Sequence, residues 1–294
     1  MPAHRPVWLC RSWLFVPGAD EAALLAAAAS GADVLIQELE DFTPTDLRPK
    51  ARTLAPDIFQ SWRAAGAVVA VRINPLELDG MADLAAVMRG APHIVALPKV
   101  AEPAQIELLD KMVGGLEREY GLKEGSTALL PNIEFARGLV QTAAIVDASA
   151  RAVACLMASE DLAADLGAER APDGAELAYA RQRFLVECVA AKTVAVDCPF
   201  TWRDAQGAER DTLWARRLGY KAKSAVTPEH VAIINRVFTP SNDEIARARA
   251  IVRAFDNARA RGESSVEVDG SLVEMPTWLN ATRLLARARD LGCD

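Results

Sequence analysis

Two carboxylates, Glu134 and Asp161, close or follow neighbouring apolar runs, TALLPNIE (127–134) and AVACLMAS (152–159), with no His or Cys beside either one. Oxygen-only donors of this kind suit a hard cation, Mg²⁺ first and Mn²⁺ as the alternative. Such an ion takes one or two protein carboxylates and fills its octahedron with water and substrate. The same two residues would serve equally as surface ion-pair partners, and spacing alone leaves both readings open. Arg72 ends the run AVVAVRIN (67–74). There its guanidinium could fork onto a substrate carboxylate with two parallel hydrogen bonds, which Lys cannot match, or lie in a buried ion pair with Glu38, Glu40 or Asp41. Glu40 and Asp41 would by themselves be capping or ion-pair groups, and Lys223 a solvated residue at a strand end. Cys155 and Cys188 sit in apolar surroundings and read as inert core thiols.

These groups need elements that bring them together. Short apolar, non-alternating runs recur at 12–18, 33–40, 67–74, 93–100, 127–134, 152–159, 193–200 and 219–226. They have the pattern of strands covered on both faces. Between them the spacing predicts helices at 20–30, 46–65, 80–90, 102–119, 138–148, 176–191 and 206–218, with an eighth at 228–236. Asp20 before Glu21, and Ser241 three residues before Glu244, have N-cap and capping-box spacing. Eight strands alternating with helices predict a (β/α)8 TIM barrel over 1–240. No G-x-G-x-x-G follows the first strand, which weakens a dinucleotide-binding reading. In such a barrel the active site lies at the C-terminal ends of the strands. There the sequence offers Glu38, Glu40 and Asp41 after strand 2, Arg72 and Asn74 after strand 3, and Lys99 after strand 4. Glu134 follows strand 5, Glu160 and Asp161 strand 6 and Asp197 strand 7, while strand 8 carries Lys221 and Lys223. After Thr239-Pro240 come an Arg/Ala-rich helix (241–261), a polar piece (ESSVEVDGSLVEMP) and a last helix (277–291). This C-terminal helical extension, 241–294, is too small for an independent core and reads as a lid or an oligomer-contact arm.

Composition narrows the classes. The chain has 294 residues, of which 51% are apolar and 25% charged, the balance of a folded protein. Its 33 Lys and Arg face 40 Asp and Glu, giving a net charge of −7 and none of the basic surplus on which nucleic-acid binding relies. The most apolar stretch, Ala22 to Ala29, is far short of a membrane span. Five Cys without a C-x-x-C, and an N-terminus without a signal-peptide pattern, point to a reduced, cytoplasmic protein. Three His make a His-rich zinc site improbable.

RSWLFVPG, GADVLIQELEDFTP…KAR, VRINPLELDGMADLAAV, HIVALPKV, NIEFARGL, SEDLAADLG and GYKAKSAVTPEHVAIINRVFTPS occur in that order. Together they closely resemble the citrate lyase β-subunit-like branch of the HpcH/HpaI aldolase superfamily, from about Arg11 to Phe255. The resemblance implies a Mg²⁺-dependent carbon–carbon lyase on a TIM barrel. It places the metal ligands on Glu134 and Asp161, and the substrate-binding arginines on Arg72 and Arg11. Glu40 and Asp41 become the acidic pair that supports metal-bound water and Arg72, and Lys223 the lysine near the coenzyme A end. The implied reaction is reversible cleavage of a 3-hydroxy-3-carboxyacyl-coenzyme A thioester of malyl, citramalyl or citryl type. Its products are an acyl-coenzyme A and a 2-oxo acid. Alternatives on the same metal are a thioesterase, a coenzyme A-independent 2-oxo acid aldolase, and a subunit of a carrier-dependent citrate lyase complex.

Three departures stand out. Glu38 occupies a position where relatives usually have Asp, and Thr227-Pro228 replaces His-Pro. The third is Glu274, in GSLVEMP (270–276), where coenzyme A-dependent relatives carry a lid Asp. Glu274 keeps the carboxyl one methylene further out, so a role in exchanging the α-carbon proton survives. A lid that crosses between subunits implies a homo-oligomer, commonly a trimer in relatives.

Overall fold

The protein is described from a computed structural model over residues 4–293, which divide into two compact units, one ending at Asn235 and the other beginning at Arg236. The first is a closed barrel of eight parallel strands in sequential order: β1 (Ser12–Pro17), β2 (Val34–Glu38), β3 (Val68–Arg72), β4 (Ile94–Leu97), β5 (Ala128–Ile133), β6 (Ala154–Met157), β7 (Val194–Asp197) and β8 (Ala222–Ala225). β8 pairs back onto β1, Ser12 opposite Lys223, which closes the ring. All eight expected strands are present, each within its predicted run. Helices α1 (Glu21–Ala27), α2 (Arg48–Ala64), α3 (Met81–Val87), α4 (Pro103–Glu119), α5 (Ala136–Leu139), α6 (Thr142–Asp147), α7 (Ser159–Leu166), α8 (Ala178–Ala190) and α9 (Ala205–Leu218) intervene, and α10 (Val231–Val237) runs across the division between the units. Asp20 caps α1 as expected, its side chain accepting from the Ala23 N–H at 3.0 Å.

Alternation along the strands decides which side chains can meet. Trp13 and Phe15, Val34 and Ile36, Val68 and Ala70, Ile94 and Ala96, Leu130, Leu156, Val196 and Ala222 form one buried cluster that fills the barrel. Continuing each row by two residues puts Glu38, Arg72, Asn132 and then Glu134 on the inward side, and Gln37, Asp197 and Lys223 on the helix-facing side. Gln37 confirms the outward set: its amide donates to the Gly18 carbonyl and to the Ala51 carbonyl of α2, both at 2.9 Å.

Three local features differ from expectation. Glu160 and Asp161 do not end a strand. β6 stops at Met157, and both residues lie in the first turn of α7, whose buried Leu162 and Ala163 and left-handed Gly167 mark a short helix. The helix expected at 138–148 is interrupted at Val140-Gln141 into α5 and α6. In the second unit, the polar piece contains an antiparallel hairpin of β9 (Val266–Val268) and β10 (Ser271–Val273). It turns through Asp269-Gly270, both at positive φ, and Asp-Gly is a strong signal for this turn. The hairpin joins α11 (Asn242–Ala260) to α12 (Met275–Asp290). Ser241 and Glu244 form the expected capping box of α11, and Phe255 and Trp278 pack with ring centroids 6.3 Å apart.

Candidate active site

Arg72 is the hub of the C-terminal mouth. It is buried, with its guanidinium carbon 5.1 Å from the Phe15 ring centroid and 5.9 Å from that of Phe42. Two aromatic faces hold the planar cation without consuming its donors. Its Nε donates to Glu38 Oε1 at 2.8 Å. Its two Nη atoms stand 3.4 Å from Glu40 Oε2 and 3.6 Å from Glu134 Oε1, with Asp41 at 3.9 Å. Surrounded by carboxylates, the guanidinium is driven further into its charged form, although burial alone would act the other way.

Glu38 is fully buried and fully satisfied. Besides Arg72 it accepts from the backbone N–H groups of Glu40 at 2.7 Å and Phe42 at 2.6 Å, so it shapes the loop after β2 and aims Arg72 at once. Gly18 packs against the same strand end. A Cβ there would lie 2.4 Å from the Glu38 carbonyl oxygen, so only glycine fits. Asn74 closes the other side, donating to the Leu39 carbonyl at 2.8 Å and to Asp83 at 2.7 Å. Lys99, held at a positive φ of 55° just past β4, reaches Glu40 at 2.6 Å and Asp41 at 3.7 Å.

Glu134 contrasts with Glu38. It too is fully buried, yet neither carboxylate oxygen has a hydrogen-bond partner. Burial pushes its carboxyl up to about 8. The Arg72 charge opposes that shift, and the negative fields of Glu40 and Asp161 add to it. Glu40 is also raised, first by burial and against the pull of Arg72. Asp161 is half-buried in the first turn of α7, a helix tied to the end of β5 where Asp165 accepts the Ala136 N–H at 2.7 Å. Glu160 is exposed and held by Arg170 and Thr201. Among the described residues, the cations paired with Glu38, Glu40, Asp41 and Glu134 are Arg72 and Lys99, and Asp161 adds a further negative charge near Glu134. With every group ionised, three negative charges would be uncompensated. A bare buried carboxylate in an acidic mouth is a donor set that fits a hard cation. Among the described residues no three His, Cys, Asp or Glu side chains come together in ligating geometry. An ion held here would therefore take few protein ligands and keep positions for water or substrate.

The structure brings Glu40, Asp41, Arg72, Glu134 and Asp161 to one mouth. Two other expected site residues lie elsewhere. Arg11 precedes β1 and so sits at the opposite, N-terminal end of the barrel, where it forks onto Asp33 with Nε at 2.8 Å and Nη2 at 3.0 Å. A substrate at the C-terminal mouth is out of its reach. Lys223 faces outward from β8 and is fully buried against the helix layer. It pairs with Asp197 at 2.7 Å and with Asp211 of α9 at 2.6 Å, in a network that includes Arg181 of α8. Every donor it has is directed away from the mouth, so it is a structural residue and not a substrate ligand. Glu274 lies in the second unit, exposed, at the N-cap of α12 without bonding the helix backbone. Glu38 and Lys99 stand among the strand-end residues in the sequence without an assigned role; here Glu38 makes the buried ion pair with Arg72 that the sequence left open as an alternative, and Lys99 pairs with Glu40.

Residues 11–228 match the HpcH/HpaI aldolase/citrate lyase family model. The chain is 32% identical to the citrate lyase subunit beta of Leuconostoc mesenteroides subsp. cremoris, over 95% of this chain and 93% of that protein. It is 30% identical to the (3S)-malyl-CoA thioesterase of Cereibacter sphaeroides, over 96% and 95%. Among solved structures it resembles the protein CitE of Mycobacterium tuberculosis in complex with magnesium, acetoacetate and coenzyme A. That match has a TM-score of 0.76 and 26% identity, and covers 98% of this chain and 100% of that one. The chain belongs to the HpcH/HpaI aldolase/citrate lyase family and is, with that family, a lyase.

Proposed function

We propose that the chain is a Mg²⁺-dependent enzyme that reversibly cleaves a 3-hydroxy-3-carboxyacyl-coenzyme A thioester of malyl, citramalyl or citryl type to an acyl-coenzyme A and a 2-oxo acid. The observation that carries this reading is the buried Glu134 carboxylate with two unpartnered oxygens beside Arg72. The magnesium and coenzyme A of the Mycobacterium tuberculosis relative support it. Glu134 and Asp161 would hold Mg²⁺, or Mn²⁺ in its place. When bound, the ion supplies a Lewis acid that polarises the oxygen of the forming carbonyl.

This chain's own residues do the rest. Arg72, clamped between Phe15 and Phe42 and anchored through Nε, keeps its Nη atoms for the carboxylate of the 2-oxo acid half. Lys99 and Glu40 hold each other, and with Asp41 they line the space above Arg72 where water would be ordered. A groove of about 670 Å³, lined by Pro17, Leu25, Phe42, Leu47 and Lys50, opens beside the aromatic clamp and offers room for the longer half of the thioester. Glu274, free of any helix-capping bond, would exchange the α-carbon proton, delivered to the mouth by a neighbouring copy in a homo-oligomer such as a trimer.

The test is mass spectrometry of purified protein incubated with Mg²⁺ and malyl-, citramalyl- or citryl-coenzyme A, with Glu134→Ala and Glu274→Ala as controls. A shorter acyl-coenzyme A appearing with its oxo acid, and absent with Glu134→Ala, is the expected result. The 30% identity to a malyl-CoA thioesterase favours one second reading. Free coenzyme A with an intact hydroxy acid would replace the lyase reaction by hydrolysis. No change in any thioester would overturn both, and direct attention to a coenzyme A-independent aldolase or a carrier-dependent complex.

A further inference from the structure

The proposed chemistry makes no use of Asn132. It shares the inward face of β5 with Leu130 below it and Glu134 above it. Its side chain is fully buried, and neither the amide nitrogen nor the amide oxygen has a hydrogen-bond partner. The register sets Asn132 opposite Leu156 of β6, and Leu130 lies one step below it on the same face. A leucine would fill the same volume with no polar atom to desolvate, so an amide here is unfavourable for the fold taken alone. Buried polar groups without partners are rare enough in folded proteins to need an explanation.

Its nearest neighbour along the row supplies one. Glu134 lies two residues further on, about 7 Å along the strand, within reach of two side chains that turn toward each other. Its carboxylate, once ionised, can only accept, and both of its oxygens are open. The Asn132 amide can donate. We propose that Asn132 is a positioning residue for Glu134: with the cation bound, its Nδ2, unpartnered in this structure, would donate to one carboxylate oxygen and so turn the other toward the cation. This inference rests on the Mg²⁺ reading of the mouth. Arg72 cannot fill the role, because its Nε is committed to Glu38 and its nearest Nη stands 3.6 Å from Glu134. A ligating carboxylate that is itself hydrogen-bonded keeps its orientation, and removing such a partner typically weakens metal binding about 10–100-fold.

The experiment measures Mg²⁺ binding by calorimetry and the melting temperature in EDTA for the wild type, Asn132→Leu, Asn132→Ser and Asn132→Ala. Asn132→Leu should bind Mg²⁺ about 10–100-fold more weakly, while its metal-free melting temperature stays level or rises. Asn132→Ser, which keeps a donor, should stay within about threefold of the wild type, and Asn132→Ala should not. The Ser and Ala variants leave similar space, so their difference reads the donor even if the leucine variant does not fold. Mg²⁺ binding by Asn132→Leu equal to that of the wild type would overturn the proposal. So would a metal-free melting temperature that falls in step with affinity, because that is what a purely structural role produces. If the wild type itself binds no Mg²⁺, the metal reading of the whole mouth fails, an outcome distinct from failure of Asn132 alone.

Discussion

Glu134→Gln removes the charge of the bare carboxylate while keeping its shape, and it should move stability and activity in opposite directions. The carboxyl titrates near its ordinary 4.5 in the unfolded chain and at about 8 in the fold, where burial outweighs the attraction of Arg72. Between those values the folded state keeps a proton that the unfolded state has released. Stability therefore falls as pH rises through this window, by about 1.4 kcal/mol per pH unit for one group. From pH 6 to pH 8, in EDTA, the wild type should lose about 2 kcal/mol relative to Glu134→Gln, which has nothing to titrate at that position. In a protein of this size that corresponds to roughly 3 °C in melting temperature. Saturating Mg²⁺ should close or reverse the gap, because the ion binds the ionised wild type and not the amide. The assay is thermal unfolding of both proteins at pH 6, 7 and 8, with EDTA and then with Mg²⁺, beside turnover of the thioester. Parallel pH curves in EDTA would refute the claim that this carboxylate is held bare and desolvated. A Gln variant that still turns over would refute its role as the ligand.

Three further substitutions test the placement of the other charged groups. Arg72→Lys should lower kcat/KM by about tenfold or more with the fold intact, since an ammonium cannot keep Nε on Glu38 and also fork onto a carboxylate; unchanged steady-state kinetics would remove Arg72 from the substrate site. Lys223→Met leaves Asp197 and Asp211 short of one buried cation and should cost about 3–5 kcal/mol in urea unfolding, with KM for the thioester unchanged in the protein that remains folded. A raised KM at unaltered stability would restore Lys223 as a ligand. Arg11→Ala should cost about 1–3 kcal/mol through its Asp33 fork and leave kcat/KM within about twofold, because it lies at the wrong end of the barrel.

Much of the barrel is legible from composition along the chain, because strands buried on both faces are written as short unbroken apolar runs. What such runs do not state is direction. Lys223 reads as a strand-end lysine near a mouth, but it points into the helix layer, because Ala222 takes the inward place beside it. Arg11 carries a family signature, yet it stands before β1 and not after it. The helix α7 follows β6 after one residue, so its first-turn acids Glu160 and Asp161 read from the sequence as the end of strand 6. The Asp-Gly turn at 269–270 is a signal present in the sequence, but the strands it joins are only three residues each, too short for a clear alternating run.

Within the mouth, the two fully buried glutamates explain what the sequence alone leaves open. Glu38 and Glu134 both continue apolar inward rows, and both lie beside Arg72. Glu38 accepts three hydrogen bonds, two from the loop it shapes and one from the arginine it aims, so its charge is spent on structure. Glu134 accepts none. The strand after which each glutamate falls decides this difference: a tight loop folds back over β2 and presents its N–H groups, whereas after β5 the chain leaves through Phe135 into α5 and presents none to the carboxylate. One carboxylate is thereby consumed in building the site, and the other stays bare, as the proposed metal ligand would. Exchanging a satisfied group for a bare one costs stability in the absence of the metal. In this mouth a bare acid therefore indicates a cation more strongly than an acid of equal burial that is already bonded.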